Sequence, residues 1–520
     1  MPATDVRNPL IAALLERLAA NHGGESPRLI ETHISWVLLA GERAYKIKKP
    51  LDLGFLDFST LEKRRFFCEE ELRLNRRLAP DYYLAVEPIS GTLDAPEIGA
   101  SGEAIEYAVE MWRFPDGSHL DDRHPRAVWF DAFAVLMADF HQRIARAAPD
   151  SHFGRPDAVH QATRENFARL FASTVVADSA DLLKGLRDWS EAEFERLRPA
   201  IVQRRADGFV RECHGDLHLG NMAWVDGKPL VFDCIEFNPN LRWIDIISEI
   251  AFLVMDLRAR RWPTFAARFL NTWLEAIGDY AGVALLRFYL VYRALVRAKV
   301  EAIRAMQADT DETVRNGAHA AALRYIHLAH AFGQPGKACL IFTRGLSASG
   351  KTTLSRPLLE RLGAIRIRSD IERKRLFGLR AEDSGAAAIG EGIYSAWAGQ
   401  RTYARLLELA GGVLRAGYPV IVDAAFLDAA RRAPFRELAR AIGVPWVILD
   451  FDASADTLRR RILQRRGDAS DADLEVLEHQ LATRAPLNDD EIAHAMRIDT
   501  ERPFDVDALA RRIQALPPGR

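Results

Sequence analysis

The pattern of apolar and polar positions changes character along the chain. Leu10, Leu14, Leu15 and Leu18 fall at helical spacing, with Asp5 and Glu16 nearby, which predicts an amphipathic helix and not a leader peptide. Short β-like runs follow, WVLLAG, RAYKIKK and EYAVEMWRF, with GTLDAPEIGASGEAIE (91–106) as a hairpin or loop between strands. After about Pro125 helical spacing dominates, ending in a long helical region over about 280–332. This predicts a small mixed lobe followed by a larger helical one. AFGQPGKA (331–338) then interrupts any regular element with Gly333, Pro335 and Gly336. Beyond it, apolar runs alternate with amphipathic helices: ACLIFT, AIRIRS, YPVIVD, PWVILDF and HAMRID. Such alternation predicts a parallel sheet covered by helices on both faces.

Composition narrows the class. With 520 residues, 48% hydrophobic and 27% charged, the chain is too long for one core. A formal net charge of -2 gives no support for a nucleic-acid or membrane partner. The most apolar stretches, IISEIAFLVMDL and LLRFYLVYRALV, are charge-interrupted and too short to span a bilayer. Cys68, Cys213, Cys234 and Cys339 form no CxxC pair, which argues against a zinc site or a disulfide framework and suits the reducing cytoplasm.

The most specific motif is Gly345-Leu-Ser-Ala-Ser-Gly350-Lys351-Thr352, a full GxxxxGK[ST] match between a strand-like and a helix-like run. Its glycines let the backbone wrap phosphate, and its amides and helix N-terminus hold negative charge. Gly345, Ser347, Ala348, Ser349, Gly350, Lys351, Thr352 and Thr353 are the expected phosphate cradle. Lys351 is expected on the β- and γ-phosphates and the Thr352 hydroxyl on Mg²⁺. Pro357 lies inside the following helix, where it can kink it. Asp423, ending VIVD, is a candidate second metal ligand. Asp370, after IRIRS, reads as a general base at the carboxyl edge of the sheet, or as a helix N-cap shared with Ser369. Arg461 and Arg465 share a helix face and read as a lid on transferring charge, or as a solvated basic face. The region 338–520 resembles the small-molecule P-loop kinases, which include gluconate kinase, polynucleotide kinase and zeta toxins. That resemblance rests on GLSASGKT, RSDIERKRL, VIVDAAF and RRRILQRR followed by SDAD, and it implies phosphoryl transfer from ATP to a hydroxyl.

A second constellation lies upstream. His214-Gly-Asp216-Leu-His-Leu-Gly-Asn221 has the D-x-x-x-x-N spacing of a kinase catalytic loop, in which the Asp serves the acceptor hydroxyl and the Asn a metal. Asp233, in VFDCIEF after the hairpin-like WVDGKP, is the expected metal carboxylate. Lys46 is the expected α/β-phosphate lysine, with Lys48 on the same strand face as its rival. Phe67, Glu71, Leu74 and Leu78 share a helix face, so Glu71 needs a cationic partner and Lys46 is the candidate; Glu70 is the alternative, and a solvated EEE run the plain reading. Backbone groups from Glu110 to Trp112 are candidate adenine contacts. These features, over about 25–330, resemble the aminoglycoside phosphotransferase and choline kinase family. There is no G-x-G-x-x-G, so ETHISW would cover the phosphates, and the metal motif is DCIE in place of DFG. The resemblance implies that Asp245 ties down the catalytic loop.

Together the expectation is an α+β, protein-kinase-like two-lobed domain over 1–332, with lobes at about 25–114 and 115–332, a linker at 333–338, and an α/β P-loop domain over 339–520. The arrangement resembles bacterial fusions of a phosphotransferase-family domain with an ATP-binding one. The expected chemistry is bifunctional transfer from ATP·Mg²⁺ to small hydroxyl compounds. The alternatives are a nucleotide-binding regulator, or a nucleic-acid-end kinase in the P-loop half.

Overall fold

A computed structural model describes residues 8–517 except 22–25, 55, 307–310, 382, 384–391 and 465–472. Two compact units emerge from its packing: Met1–Leu136 with Phe140–Val159 and Ile201–Leu253, and Met137–Asp139 with His160–Ala200 and Val254–Arg520.

The first unit is built on an antiparallel sheet. Its strands are β1 (Arg28–Glu31), β2 (Ser35–Ala40), β3 (Arg43–Lys48), β4 (Tyr83–Thr92), β5 (Ala95–Ile98) and β6 (Ala104–Trp112), in the order β1-β2-β3-β6-β4-β5. Residues 91–106 thus form the β4–β5 hairpin and the run into β6. The amphipathic helix Pro9–Asn21 lays Leu10, Ile11, Leu14 and Leu18 on one face of the sheet, against Leu38, Ile47 and Ile89. On the other face the helix Leu61–Asn75 begins at Thr60, whose side chain accepts the Lys63 amide, and it carries Glu71 and Leu74 inward. Below lie β7 (Val210–Glu212), β8 (Met222–Val225), β9 (Lys228–Val231) and β10 (Trp243–Asp245), paired as β7–β10 and β8–β9. Asp226 (φ 48) and Gly227 (φ 77) turn β8 into β9, so WVDGKP is the hairpin its turn residues predict.

The second unit combines helices with the sheet β11 (Leu340–Arg344), β12 (Ile365–Arg368), β13 (Val420–Asp423), β14 (Trp446–Asp452) and β15 (Ala495–Asp499). These strands run in the order β12-β13-β11-β14-β15, all pairs parallel, as the alternating pattern predicts. The helix Lys351–Leu362 passes Pro357 without a break. The long helices Val283–Ala305 and Glu312–Gly333 belong here too, and so does the helix Pro263–Ile277. Ala267 of the latter sits in the core cluster with Ile341, Leu358, Ile421 and Val447. By packing, helices that precede 333–338 in sequence are grouped with the parallel sheet.

One buried ion pair fixes the loop after β13. Arg432 and Glu491, both with fully buried side chains, make two bonds of 2.9 and 3.0 Å, and Arg432 also donates to the Phe426 and Pro486 carbonyls. Phe426 holds φ 47, a conformation that needs such support. Removing one partner of a buried pair strands the other charge. Glu491→Ala is expected to destabilise the unit by about 3–5 kcal/mol, seen as a lowered melting temperature of the full chain; a change within the error of the melt would mean the pair contributes nothing net.

Candidate active sites

In the first unit, β3 presents alternate residues to one face, so Lys46 and Lys48 point the same way. Glu71 reaches up between them from the helix Leu61–Asn75. Its Oε1 lies 2.7 Å from Lys46 Nζ and its Oε2 accepts from Lys48 Nζ at 2.6 Å. Lys46 also donates to Asp233 Oδ1 at 2.6 Å, and Lys48 pairs with Glu236. Glu71 and Lys48 are wholly buried, whereas the Asp233 side chain is 45% exposed. Burial pushes Glu71 up, but the two ammoniums outweigh it and hold the carboxyl at about 2. Glu236 is raised instead, because burial there outweighs Lys48. The Lys46–Lys48 rivalry therefore resolves into a division of labour. Lys48 is locked inside, and Lys46 faces the half-exposed Asp233.

The catalytic-type loop runs from β7 to β8. Gly215 (φ 91) leaves room for the close approach of the Leu241 carbonyl, which a Cβ would meet at 2.9 Å. Asn221 Nδ2 donates to the Asp216 carbonyl and to its Oδ2, at 3.0 and 3.1 Å. His218 Nε2 stands 3.3 Å from the same Oδ2. Asp216 is 34% exposed at its side chain, among buried neighbours. Asp233 holds φ 65 just after β9, with its amide donating to the Tyr83 hydroxyl. The oxygens of Asn221 and Asp233 suit a hard cation such as Mg²⁺.

One expectation needs correction here and another is narrowed. Asp245 bonds Arg204 at 2.7 and 2.8 Å and accepts the Ile247 amide; the catalytic loop is held by Glu249, which accepts the Gly215 amide at 2.7 Å and pairs with His141 at 2.8 Å. The Trp112 amide is also taken, since β6 is an interior strand and that amide donates to the Tyr82 carbonyl. An adenine cannot use it. Glu110 lies in the same ladder opposite Tyr45, and its carboxylate faces the Tyr45 hydroxyl and Arg43.

In the second unit the cradle lies between β11 and the helix Lys351–Leu362. Gly345 (φ 159), Ala348 (φ 62) and Gly350 (φ 88) set its curvature. A Cβ on Gly345 would meet Ser349 Oγ at 2.6 Å and the Phe451 carbonyl at 2.8 Å, so only glycine fits. Lys351 Nζ folds over the loop onto the Gly345 and Leu346 carbonyls, at 2.9 and 2.7 Å. The Ser347 amide donates to Gln480. Ser349 is buried, Thr352 half-buried and Thr353 exposed. Arg461 reaches the Ala348 carbonyl at 3.4 Å and binds Thr500 through its hydroxyl and its carbonyl, at 2.9 and 2.8 Å. Arg465 falls outside the described residues. Asp423, 5% exposed, accepts from Ser355 Oγ at 3.1 Å. Arg368 pairs in register with Asp423, so the half-buried Asp370, two residues on, stands at the same carboxyl edge. The N-cap of its helix is Arg368, which corrects the capping alternative for Ser369 and Asp370. The buried Asp423 carboxylate and the Thr352 hydroxyl again form an oxygen donor set that fits Mg²⁺.

Comparison with known proteins bears on the family. Residues 61–286 match the family model described as Phosphotransferase enzyme family, and 340–487 that described as AAA domain. Proteins of Mycobacterium tuberculosis and Mycobacterium bovis, both named as uncharacterized, are 33% identical over 477 residues, 91% of this chain and 92% of theirs. The chain belongs to their family. Its members are matched nearly end to end, across both the phosphotransferase-type and the P-loop part. Among solved structures, a sugar kinase from Janibacter is 22% identical, covering 34% of this chain and 92% of its own, with a TM-score of 0.26. An amicoumacin kinase in complex with AMP-PNP is 15% identical, covering 62% and 96%, with a TM-score of 0.39. Among the described residues no helix is long and apolar enough to cross a membrane.

The Glu71 arrangement yields an asymmetry. Lys48→Met strands the buried Glu236 and leaves Glu71 only Lys46, so it is expected to cost about 3–5 kcal/mol. Lys46→Met leaves Glu71 its Lys48 and leaves Asp233 half in water, so it is expected to cost clearly less. Melting of the two full-length variants compares them; equal losses would contradict the division of labour between the lysines.

Proposed function

We propose that this family member is an ATP-dependent phosphotransferase with two separate sites, each passing a phosphoryl group to a hydroxyl of a small molecule. One observation carries the reading: Asp216, a partly exposed carboxylate oriented by Asn221 and His218, belongs to the loop that ends at the hairpin leading to the Lys46-bound Asp233. A base open to an acceptor, paired with a lysine–carboxylate set fit for a metal-bound nucleotide, is the equipment of phosphoryl transfer. Bond formation between the γ-phosphorus and the acceptor oxygen accompanies cleavage of the bond to ADP, with the acceptor proton passing to Asp216. Asp370 takes that role in the second site, Lys351 and the loop amides hold the phosphates, and Arg461 steadies charge beside the cradle. Mg²⁺, when bound through Asn221 and Asp233 or through Thr352 and Asp423, would supply charge neutralisation on the phosphates. Four buried cysteines, none in a disulfide, suit a reducing cytoplasmic setting.

The test begins with the full chain, labelled ATP and a panel of sugars, amino alcohols and polyols. With the acceptors so found, Asp216→Ala in a Lys351→Ala background is expected to lose at least ~10²-fold in transfer while retaining nucleotide affinity. Asp370→Asn is expected to slow the Lys351-dependent transfer in the same way. Near-normal rates would reject either assignment. A panel with no acceptor at all would favour a nucleotide-binding regulator.

A further inference from the structure

The strand β12 is an edge strand of the parallel sheet, and its outer edge is covered in an unusual way. In a parallel ladder alternate residues turn their amide and carbonyl outward. Here the outward groups belong to Ala364 and Arg366, since Ile365 pairs inward through its amide to the Pro419 carbonyl. A single side chain on the helix Pro263–Ile277 meets them. Asn271 Oδ1 accepts the Arg366 amide at 2.7 Å, and Asn271 Nδ2 donates to the Ala364 carbonyl at 2.9 Å. The Tyr280 hydroxyl donates to the Arg366 carbonyl at 3.3 Å. Asn271 and Tyr280 are 2% and 3% exposed, so these bonds replace a missing strand in a dry setting.

The same helix reaches further in. Glu275 Oε1 accepts from Arg366 Nε and Nη2 at 3.0 and 2.8 Å. Arg366 Nη1 donates to Ser355 Oγ at 3.1 Å, and Ser355 Oγ has two acceptors to choose between, Asp423 Oδ2 at 3.1 Å and the Thr352 carbonyl at 3.2 Å. Arg366, Ser355 and Asp423 are 4%, 0% and 5% exposed. Water does not compete among these three, and Glu275, 15% exposed at its side chain, is the outer end of the row. An arginine fixed by a carboxylate on one side can hold a hydroxyl in one orientation on the other, and that hydroxyl then holds one oxygen of Asp423.

We propose that Glu275, Arg366 and Ser355 are positioning residues of the P-loop site, setting the orientation of Asp423 and hence the affinity for the divalent cation that accompanies the nucleotide. The inference rests on the reading of the P-loop as a Mg²⁺-nucleotide site. It makes the helix Pro263–Ile277 a working part of that site, although this helix lies within the stretch matched by the phosphotransferase family and outside 340–487. Groups one step behind a metal ligand orient it, and their loss commonly costs 10- to 100-fold in metal affinity.

The test uses the full chain and a fluorescent ATP analogue, following the binding component that Lys351→Ala removes as Mg²⁺ is varied. Glu275→Gln keeps the volume but loses the charge that fixes Arg366; Ser355→Ala removes one oxygen from the middle of the row. Each is expected to raise the Mg²⁺ midpoint about tenfold or more, and the double variant to shift it no further than the larger single one. A merely structural role would lower the melting temperature of Glu275→Gln and leave the midpoint where it was, and that result overturns the proposal. Should Glu275→Gln fail to fold, Ser355→Ala decides alone by the same midpoint. A wild-type chain with no Lys351-dependent component overturns the P-loop reading itself, and the positioning row with it.

Discussion

A carboxylate taken out of water must be met by a cation or by hydrogen-bond donors, and both sites are organised by that requirement. A site that handles phosphate and a divalent cation needs carboxylates in fixed places, and fixed places are partly dry. In the first unit Glu71 is wholly buried and is met on each oxygen by a different lysine. Because those lysines come from β3 and Glu71 from the helix Leu61–Asn75, the electrostatic need also fixes the helix against the sheet. Lys46 then carries the connection on to Asp233, and Lys48 to Glu236, three residues later on the same segment. In the second unit the corresponding carboxylate is Asp423, held by a hydroxyl that an arginine holds in turn.

What was legible in the sequence was what lies close together along the chain. The P-loop is one turn between a strand and a helix, and the need for glycine at 345 is partly local, since a Cβ there would meet Ser349 Oγ. Asp216 and Asn221 are five residues apart and their bond closes a single loop. Glu71 could be read from helical spacing because its neighbours on that face are apolar, so a charge there demanded a partner. The spacing could not say that the partner would be two lysines. Glu236, Glu249, Asn271 and Glu275 escaped attention because each is an ordinary polar residue whose role arises from a contact far away in sequence. Glu236 finds Lys48 across 188 positions, and Asn271 finds Arg366 across 95. Asp245 was misread for a related reason: its position fits a family pattern, while the bonds it makes depend on which strands and helices lie alongside.

The grouping of helices also shows why a break in sequence is a poor guide to cooperative structure. Gly333, Pro335 and Gly336 end a helix, as their backbone preferences require. They do not end a packing unit, because the helix Pro263–Ile277 supplies Ala267 to the core under the parallel sheet and Asn271 to its edge. Cutting the chain at its most obvious linker would expose an apolar face and an unpaired strand edge together. Variants of the full chain are therefore the sound way to separate the two proposed chemistries.

The proposed activity requires that one chain hold two independent nucleotide-phosphate sites. Calorimetric titration of the full chain with a non-hydrolysable ATP analogue and Mg²⁺ addresses it most directly. The expected stoichiometry is near two, falling to one in Lys351→Ala, because that substitution removes the charge over one cradle only. A stoichiometry of one that vanishes in Lys351→Ala would contradict it, and would leave the Lys46–Glu71–Asp233 set without a nucleotide to serve.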